Sequence, residues 1–207
     1  MRLPKHIGII PDGNRRWALK NNLNKEDGYR NGITPGMTVY QMCKELGVEE
    51  ITFYGFTIDN TKRPMQQRIA FTNACIHAVE KLSQEDARLF VLGNCDSKMF
   101  PKELIPYTVP HVFGTGSIKV NFLVNYSWEW DFGFQKGKLG SQLQSWDVSR
   151  MDLIIRWGGC RRLSGFLPIQ SVYSDFYVVD AYWPDFEPQQ IYDALEWYSK
   201  QDVTLGG

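Results

Sequence analysis

Short apolar runs recur along this chain, and several end in clusters of polar or charged residues. Val, Ile, Leu and Phe dominate these runs, as in strands buried on both faces. Strands are therefore expected at His6–Ile10, Glu50–Phe56, Arg88–Leu92, Ile118–Val124 and Met151–Ile155, with a shorter one near Phe176–Val179. Between them the apolar period lengthens to that of a helix. Thr34 is a candidate N-cap, Pro35 suits a first helical position, and the pattern runs to Leu46 before Gly47 stops it. A second helix is expected from Pro64 to about Leu82, with Phe71, Cys75, Ala78 and Leu82 on one face. Further helices are expected at Lys98–Tyr107 and from Pro188 to about Lys200. This alternation predicts an α/β fold with a mostly parallel central sheet flanked by helices. Lys136–Ser149, rich in Gly, Ser, Gln and Lys, reads as a surface loop. No repeat or flexible linker divides residues 1–207, so a single domain is expected.

Composition narrows the partners. The chain has 207 residues, enough to bury a real core. Aromatic residues make up 14%, which points to a large apolar interior or an apolar ligand site within it. The 23 basic and 23 acidic side chains balance, so no general attraction to nucleic acid is expected, and at most peripheral contact with a membrane. Cations matter here only where the fold concentrates them. Cys43, Cys75, Cys95 and Cys160 are scattered, which argues against a zinc site or a disulfide framework and for a cytoplasmic location. His6, His77 and His111 lack metal-ligand spacing and read as structural or surface residues. No apolar run approaches membrane-spanning length, and Met1-Arg2-Leu3-Pro4-Lys5 leads straight into the first strand, so no signal peptide is expected.

Four polar clusters follow strand-like runs: Asp12-Gly13-Asn14-Arg15-Arg16-Trp17, residues 56–64, residues 125–130 and residues 156–164. In a parallel sheet the carboxyl ends of the strands share one edge, so these clusters are expected to converge. Glycines let backbone amides approach an anion, and arginines give forked bonds to phosphate oxygens. Taken singly, each cluster has a plain explanation. Asp12-Gly13-Asn14 makes a β-turn, Arg161-Arg162 a solvated pair, Gly158-Gly159 a tight turn, Asn60 a helix cap, and Trp128 and Trp130 core residues. Repetition of anion-binding chemistry at several strand ends favours a diphosphate site with an acid in reach.

In their order along the chain, these motifs resemble the cis-prenyltransferase, or undecaprenyl diphosphate synthase-like, family. The likeness spans nearly the whole sequence. It is carried by Asp12 to Trp17, Gly28 and Gly32, Asn60 with Arg63-Pro64, Asn125-Tyr126, Asp152-Leu153-Ile154-Ile155-Arg156 with Gly158-Gly159, Arg162-Leu163-Ser164 and Trp183-Pro184-Asp185-Phe186. The resemblance implies the undecaprenyl diphosphate synthase-like fold and a magnesium-dependent condensation of an allylic prenyl diphosphate with isopentenyl diphosphate. It implies that Asp12 places the metal and aids departure of the allylic diphosphate, while Gly13, Asn14, Arg15 and Arg16 cradle that group. It implies that Trp17 flanks the prenyl chain and that Asp175 is a second metal ligand. It places Arg156, Arg162 and Ser164 on the diphosphate of isopentenyl diphosphate, Asn60 near proton removal, and Phe56, Thr57 and Arg63 around the pocket. A homodimer is the implied assembly, and a heteromer the other.

Departures from the family pattern shape the expectations further. Lys25 stands for arginine, Tyr29 for histidine, Asp59 for glutamate, Thr61 for tryptophan, Cys160 for glutamate, and Asp175 for a longer glutamate. The tail from Gln201 to Gly207 lacks the R-x-G motif, so another chain is expected to supply it or the second-substrate site is weakened. Helical segments that wall the product tunnel look short, which implies a short-chain product, with bulk at Phe71 or His77 as its floor. Because the departures cluster near the second substrate, irregular head-to-middle coupling of the lavandulyl type, or transfer to another acceptor, is the alternative. A non-catalytic subunit of a heteromer is weighed against the retained Asp12, Asn60, Arg156, Arg162 and Ser164. A phosphatase with Asp12 as nucleophile lacks its paired acid, since Asn14 stands at the second position after Asp12.

Overall fold

The structure is a computed structural model, which describes residues 2–133 and 142–202. Its strands are β1 (His6–Ile10), β2 (Glu50–Tyr54), β3 (Arg88–Leu92), β4 (His111–Val112), β5 (Lys119–Leu123), β6 (Leu153–Arg156) and β7 (Asp175–Val178). They form one sheet in the order β4-β3-β5-β2-β1-β6-β7. Every neighbouring pair is parallel except β3–β4. The helices are α1 (Asn14–Lys20), α2 (Asp27–Asn31), α3 (Ile33–Glu45), α4 (Met65–Leu82), α5 (Trp128–Asp131) and α6 (Pro188–Ser199).

Both faces of the sheet are covered, which is why β1 and β2 read as unbroken buried runs. On one face Ile7, Ile9, Ile51, Phe53, Val120 and Leu153 join Val39 and Cys43 of α3, Val79 and Leu82 of α4 and Leu195 of α6. On the other, Ile10, Tyr54, Leu123 and Ile154 meet Val148, Phe166 and Leu167 from the loops around β6. Each buried Leu, Ile or Phe contributes about 1.5–3 kcal/mol of transfer free energy, so this two-sided burial holds the strand ends fixed. His6 is a structural residue at the opening of β1, where its ring nitrogens pair with Thr52 Oγ1 at 2.7 Å and the Ser149 carbonyl at 3.1 Å.

Several expected elements are moved or replaced. The third helix begins at Ile33 with Gly32 as its cap, so Thr34 is already helical and Pro35 sits in the first turn. Proline costs little there, because first-turn amides have no intrahelical partner. The helix expected at Lys98–Tyr107 is a 3₁₀ segment at Lys102–Thr108. Pro101 precedes it and Pro106 lies inside it, and the loss of two amide donors disfavours a regular α-helix. The two short helices after β1, α1 and α2, were not anticipated; neither is long enough to show an amphipathic period. Of the loop expected at Lys136–Ser149, residues 136–141 lie outside the described residues, and the remainder holds turns.

Helices α1 and α2 are joined by a close backbone approach. A Cβ placed on Gly28 lies 2.0 Å from the carbonyl oxygen of Asn14. Backbone cannot rotate aside as a side chain can. Gly28→Ala is therefore expected to cost about 1–3 kcal/mol, a fall of about 2–4 °C in Tm for each kcal/mol. An unchanged melting temperature would contradict this packing.

Candidate active site

Because β1, β2 and β6 are parallel and adjacent, their carboxyl ends open on one edge. There they border a cleft of about 670 Å³. The register sets Arg156 of β6 beside Ile10 of β1, two residues before Asp12. Arg156 Nη2 donates to Asp12 Oδ2 at 2.8 Å. The Gly13 amide donates to Asp12 Oδ1 at 2.6 Å, and Arg16 Nη2 stands 3.5 Å from the same oxygen. Arg156 Nη1 donates to Ser164 Oγ at 3.0 Å and to the Arg162 carbonyl. The Arg156 side chain is 5% exposed and that of Asp12 33%, so the carboxylate faces the cleft while its cation is buried. Burial alone pushes the Asp12 carboxyl up, but the Arg156 bond and charge, the Gly13 amide and Arg16 outweigh it. The net position is below the ordinary carboxylate value, so Asp12 is ionised at neutral pH.

Two glycines make this approach possible. Gly13 has φ +101, and a Cβ there meets Tyr182 at 2.7 Å. Gly158 has φ +84, and a Cβ there lies 2.5 Å from Arg16 Nη2. Both residues thus combine a left-handed backbone with a tight neighbour.

Six cationic side chains line the cleft, Arg15, Arg16, Lys25, Arg63, Arg156 and Arg162, against the carboxylates of Asp12 and Asp59. Arg16 and Arg156 pair with Asp12, and Asp59 with Lys62. Among the described residues, Arg15, Lys25, Arg63 and Arg162 have no carboxylate within ion-pair distance. Arg63 is held instead by the Tyr29 hydroxyl at 2.9 Å, and Arg15 by Gln67 at 3.5 Å. Burial and the charge of Arg15 work against the Arg63 guanidinium, and its value is held below the ordinary one. Unpaired, partly dehydrated cations around an open cleft form a site for a multiply charged anion.

Of the sequence-predicted residues, Asp12, Gly13, Asn14, Arg15, Arg16, Lys25, Tyr29, Thr57, Asn60, Arg63, Arg156, Arg162 and Ser164 all border the cleft. Four do not occupy the places expected. Asp175 opens β7, in register with Leu153 and so with Ile7, at the amino end of the sheet. Strands rise about 3.3 Å per residue, which puts Asp175 more than about 10 Å from Asp12, and it lies near Arg2 at 3.9 Å instead. It is not a metal ligand with Asp12 within this chain. Trp17 turns away from the cleft and donates from Nε1 to Asp185 Oδ1 at 2.6 Å. Phe56 is buried behind the cleft, edge-on to Phe71 with ring centroids 5.4 Å apart. His77 is exposed and lines neither the cleft nor the apolar cavity behind it, so it is not the floor of either.

Asn60 also has a structural role. Its Oδ1 accepts from the Thr57 backbone amide at 3.0 Å, and the Thr57 side-chain oxygen accepts from the Asn60 backbone amide. The amide oxygen serves this turn, so Asn60 shapes the loop that carries Arg63 while bordering the cleft. The cluster at residues 125–130 stays outside the cleft, where the Tyr126 hydroxyl donates to buried Asp131 at 2.7 Å. Sequence reasoning missed Tyr54, whose hydroxyl donates to the Ser164 carbonyl at 2.8 Å and fixes a residue with φ 53. A polar tip on the last residue of a strand at the site edge was the available signal. It also missed Gln67, one helical turn past Arg63.

Magnesium takes one or two carboxylates together with phosphate oxygens and waters. Asp12, ionised and facing the cationic cleft, fits such a site, in which a diphosphate supplies the other oxygens. Among the described residues no group of three or more His, Cys, Asp or Glu forms a complete metal cage. No helix of the described residues is long and apolar enough to cross a membrane.

Removing Asp12 strands a buried guanidinium. Asp12→Ala is expected to cost about 1–3 kcal/mol of stability at neutral pH. The folded carboxyl sits below its unfolded value of about 4, so its contribution is complete above that value and lost as pH falls through the folded one. Melting curves of wild type and Asp12→Ala should stay apart at neutral pH and converge below about pH 4. Parallel curves down to strong acid would contradict the ion pair.

Comparison with known proteins agrees with this geometry. The family model Prenyltransf, described as undecaprenyl diphosphate synthase, matches residues 10–206. An isoprenyl transferase of Chromobacterium violaceum is 31% identical, over 98% of this chain and 88% of that protein. An isoprenyl transferase of Streptococcus thermophilus is 31% identical, over 99% and 94%. A farnesyl-diphosphate-specific ditrans,polycis-undecaprenyl-diphosphate synthase of Aliivibrio fischeri is 28% identical, over 99% and 89%. The solved lavandulyl diphosphate synthase of Lavandula x intermedia, in complex with dimethylallyl diphosphate, shares the fold, with a TM-score of 0.83 at 20% identity and 99% of each chain covered. A parallel sheet whose strand ends hold an ionised aspartate among arginines, and a sequence match along almost its whole length, make this chain a prenyl-group transferase of the undecaprenyl diphosphate synthase family.

Proposed function

We propose that this chain condenses an allylic prenyl diphosphate with isopentenyl diphosphate and releases a short-chain prenyl diphosphate. The carrying observation is the cleft itself, in which six cations surround two carboxylates in a chain of zero net charge. The allylic diphosphate lies against Gly13, Asn14, Arg15, Arg16 and Arg63. The second diphosphate lies towards Arg162 and Ser164, with Arg156 tying that side to Asp12. Ionising the allylic substrate builds negative charge on the departing diphosphate, and fixed cations stabilise it most as the bond breaks. Magnesium, when bound at Asp12, supplies further positive charge to the same oxygens. The aromatic rings of Tyr29 and Phe71 keep water from the developing allylic cation and offer it their π faces.

The space behind the cleft supports a short product. The adjoining apolar cavity, walled by Met37, Phe53, Ala74, Ala78, Leu82 and Phe122, measures about 60 Å³. A cavity of about 150 Å³ takes up one benzene, so a space of this size favours a short chain over a long polyprenyl one. The assembly we propose is a homodimer, formed over the exposed side chains of Trp146, Ile169, Val172 and Tyr173.

A second reading, irregular coupling of two allylic units, draws support from the second half-site. Arg156 is committed there to Asp12, Arg162 and Ser164 are exposed, and Cys160 lines the cleft in place of an acid. The regiochemistry of the product separates the two readings.

The test is to incubate the purified chain with dimethylallyl or geranyl diphosphate, isopentenyl diphosphate and magnesium, and to identify products by mass spectrometry and NMR. A short, head-to-tail prenyl diphosphate is expected; branched head-to-middle carbon skeletons would establish the second reading instead. Asp12→Ala is expected to lower kcat by about 10²-fold or more, and a chelator to abolish turnover. Near-normal turnover in either case would overturn the assigned role of Asp12.

A further inference from the structure

The amino edge of the sheet, at the far end of the strands from the cleft, holds a buried polar chain. His6, Glu50, Thr52 and Asn121 are each 5% exposed or less, and they come from β1, β2 and β5. Buried polar groups persist where their bonds are made, and here each bond has a direction. The Ser149 carbonyl can only accept, so His6 Nδ1, 3.1 Å away, carries a proton. Asn121 Nδ2 donates to Thr52 Oγ1 at 2.9 Å and to Glu50 Oε1 at 2.6 Å. The Thr52 hydroxyl then gives its own proton to His6 Nε2 at 2.7 Å. A neutral imidazole, donor at one nitrogen and acceptor at the other, completes this chain.

The chain holds the segment that enters β6. Glu50 Oε1 also accepts from the Ser149 amide at 3.4 Å. Lys119 Nζ stands 3.2 Å from the same oxygen and donates to the Asp147 carbonyl. Just beyond, Asp152 Oδ2 accepts from the Lys5 amide at 2.8 Å and the His6 amide at 3.0 Å, while the His6 carbonyl accepts from the Asp152 amide at 3.0 Å. His6 thus holds that segment by its side chain and its backbone together. From there β6 runs beside β1 in the register that ends with Arg156 opposite Ile10, just before Asp12.

We propose that His6 is a positioning residue for the active site: its neutral ring ties the entry of β6 to β1 and β2, and protonation in mild acid loosens that tie and with it the placing of Arg156 against Asp12. The link to the site rests on reading the cleft as a diphosphate site. The charged groups facing His6 are Glu50 from β2, Lys119 from β5 and, on its backbone, Asp152 beside β6. Burial, with the Lys119 ammonium, holds the ring neutral against the Glu50 carboxylate 3.9 Å away, and His6 lies below its ordinary value of 6.5. A charged ring turns a second proton on Thr52 Oγ1 and leaves the hydroxyl's own proton without its acceptor. Because the folded value is depressed, the stabilisation is complete above 6.5 and is lost as pH falls through the folded value.

The test begins with nitrogen NMR of the wild-type ring, identified by its loss in His6→Asn. The ring is expected to be neutral and protonated at Nδ1 at neutral pH, and to charge only below 6.5. His6→Asn keeps an N–H near the place of Nδ1 and cannot be protonated, whereas His6→Leu removes both bonds. Calorimetry then measures binding of inorganic pyrophosphate at about pH 7.5 and about pH 5, with His6→Asn as the control for protonation of pyrophosphate itself. At the higher pH, His6→Leu is expected to bind about tenfold more weakly than wild type, and His6→Asn within about threefold of it. On acidification, wild type is expected to lose about threefold more affinity than His6→Asn, and its amides at 149–153 to exchange faster than those of the variant. A ring charged at neutral pH, equal acid sensitivity of wild type and His6→Asn, or wild-type binding by His6→Leu overturns the proposal. The first two comparisons decide it even where His6→Leu does not fold. Wild type that binds no pyrophosphate overturns the diphosphate reading and the link to Arg156, while hydrogen exchange still decides whether His6 ties down the entry of β6.

Discussion

The ion pair between Asp12 and Arg156 exists because two parallel strands are held in one register. Ile10 lies opposite Arg156, so the chain leaving β1 turns back across the end of β6 within two residues. The Gly13 amide closes that turn on Asp12, and Gly158 leaves room for Arg16. A one-residue slip of β6 would turn Arg156 to the opposite face of the sheet. It would also misplace Ser164 and the Arg162 carbonyl, which Arg156 holds. The two-sided apolar core is what forbids the slip. Packing energy far from the chemistry thereby fixes the geometry of the charged groups.

That geometry resolves an apparent contradiction in composition. A chain with no net charge carries a strongly cationic cleft because the fold gathers distant cations at one edge. Arg15 and Arg16 come from α1, Lys25 from the turn before α2, Arg63 from the loop after β2, and Arg156 and Arg162 from β6 and its loop. Crowded cations repel, and burial costs them hydration. The structure offsets this with neutral acceptors, the Tyr29 hydroxyl for Arg63 and the Gln67 amide for Arg15. Such acceptors orient a guanidinium without cancelling its charge. A carboxylate in their place would stabilise the empty site at the expense of anion binding.

The sheet was legible in the sequence because buried parallel strands leave continuous apolar runs, and most strand boundaries shifted by only one or two residues. Helices α1 and α2 were not, being too short to show a period. The cationic half of the site was legible because arginine at a strand end has few plain explanations when it recurs. Asp175 was expected beside Asp12 because the resemblance implies a metal-binding carboxylate there, and only the register shows which end of the sheet it occupies within this chain. Trp17 misled for a related reason. A tryptophan beside anion-binding residues is equally suited to packing, and its indole N–H found Asp185 across the chain. Asn60 borders the cleft, and only coordinates reveal that its oxygen also serves the Thr57 turn.

The boundary between charge and hydrocarbon is the remaining constraint on any prenyl diphosphate enzyme. A diphosphate demands cations that keep some water, and a prenyl chain demands a dry wall. Neighbouring sites of such opposite character conflict unless something separates them, because water drawn by the cations would reach the allylic centre. Here the stacked rings of Tyr29 and Phe71 border both the cationic cleft and the apolar cavity. Tyr29 presents its polar tip to Arg63 and its face to Phe71, and Phe71 rests on buried Phe56. The rigid core therefore reaches the reacting region through three rings in sequence, as it reaches the anion through the register of β1 and β6. Both lines of support end at the cleft, one on Arg63 and the other on Asp12.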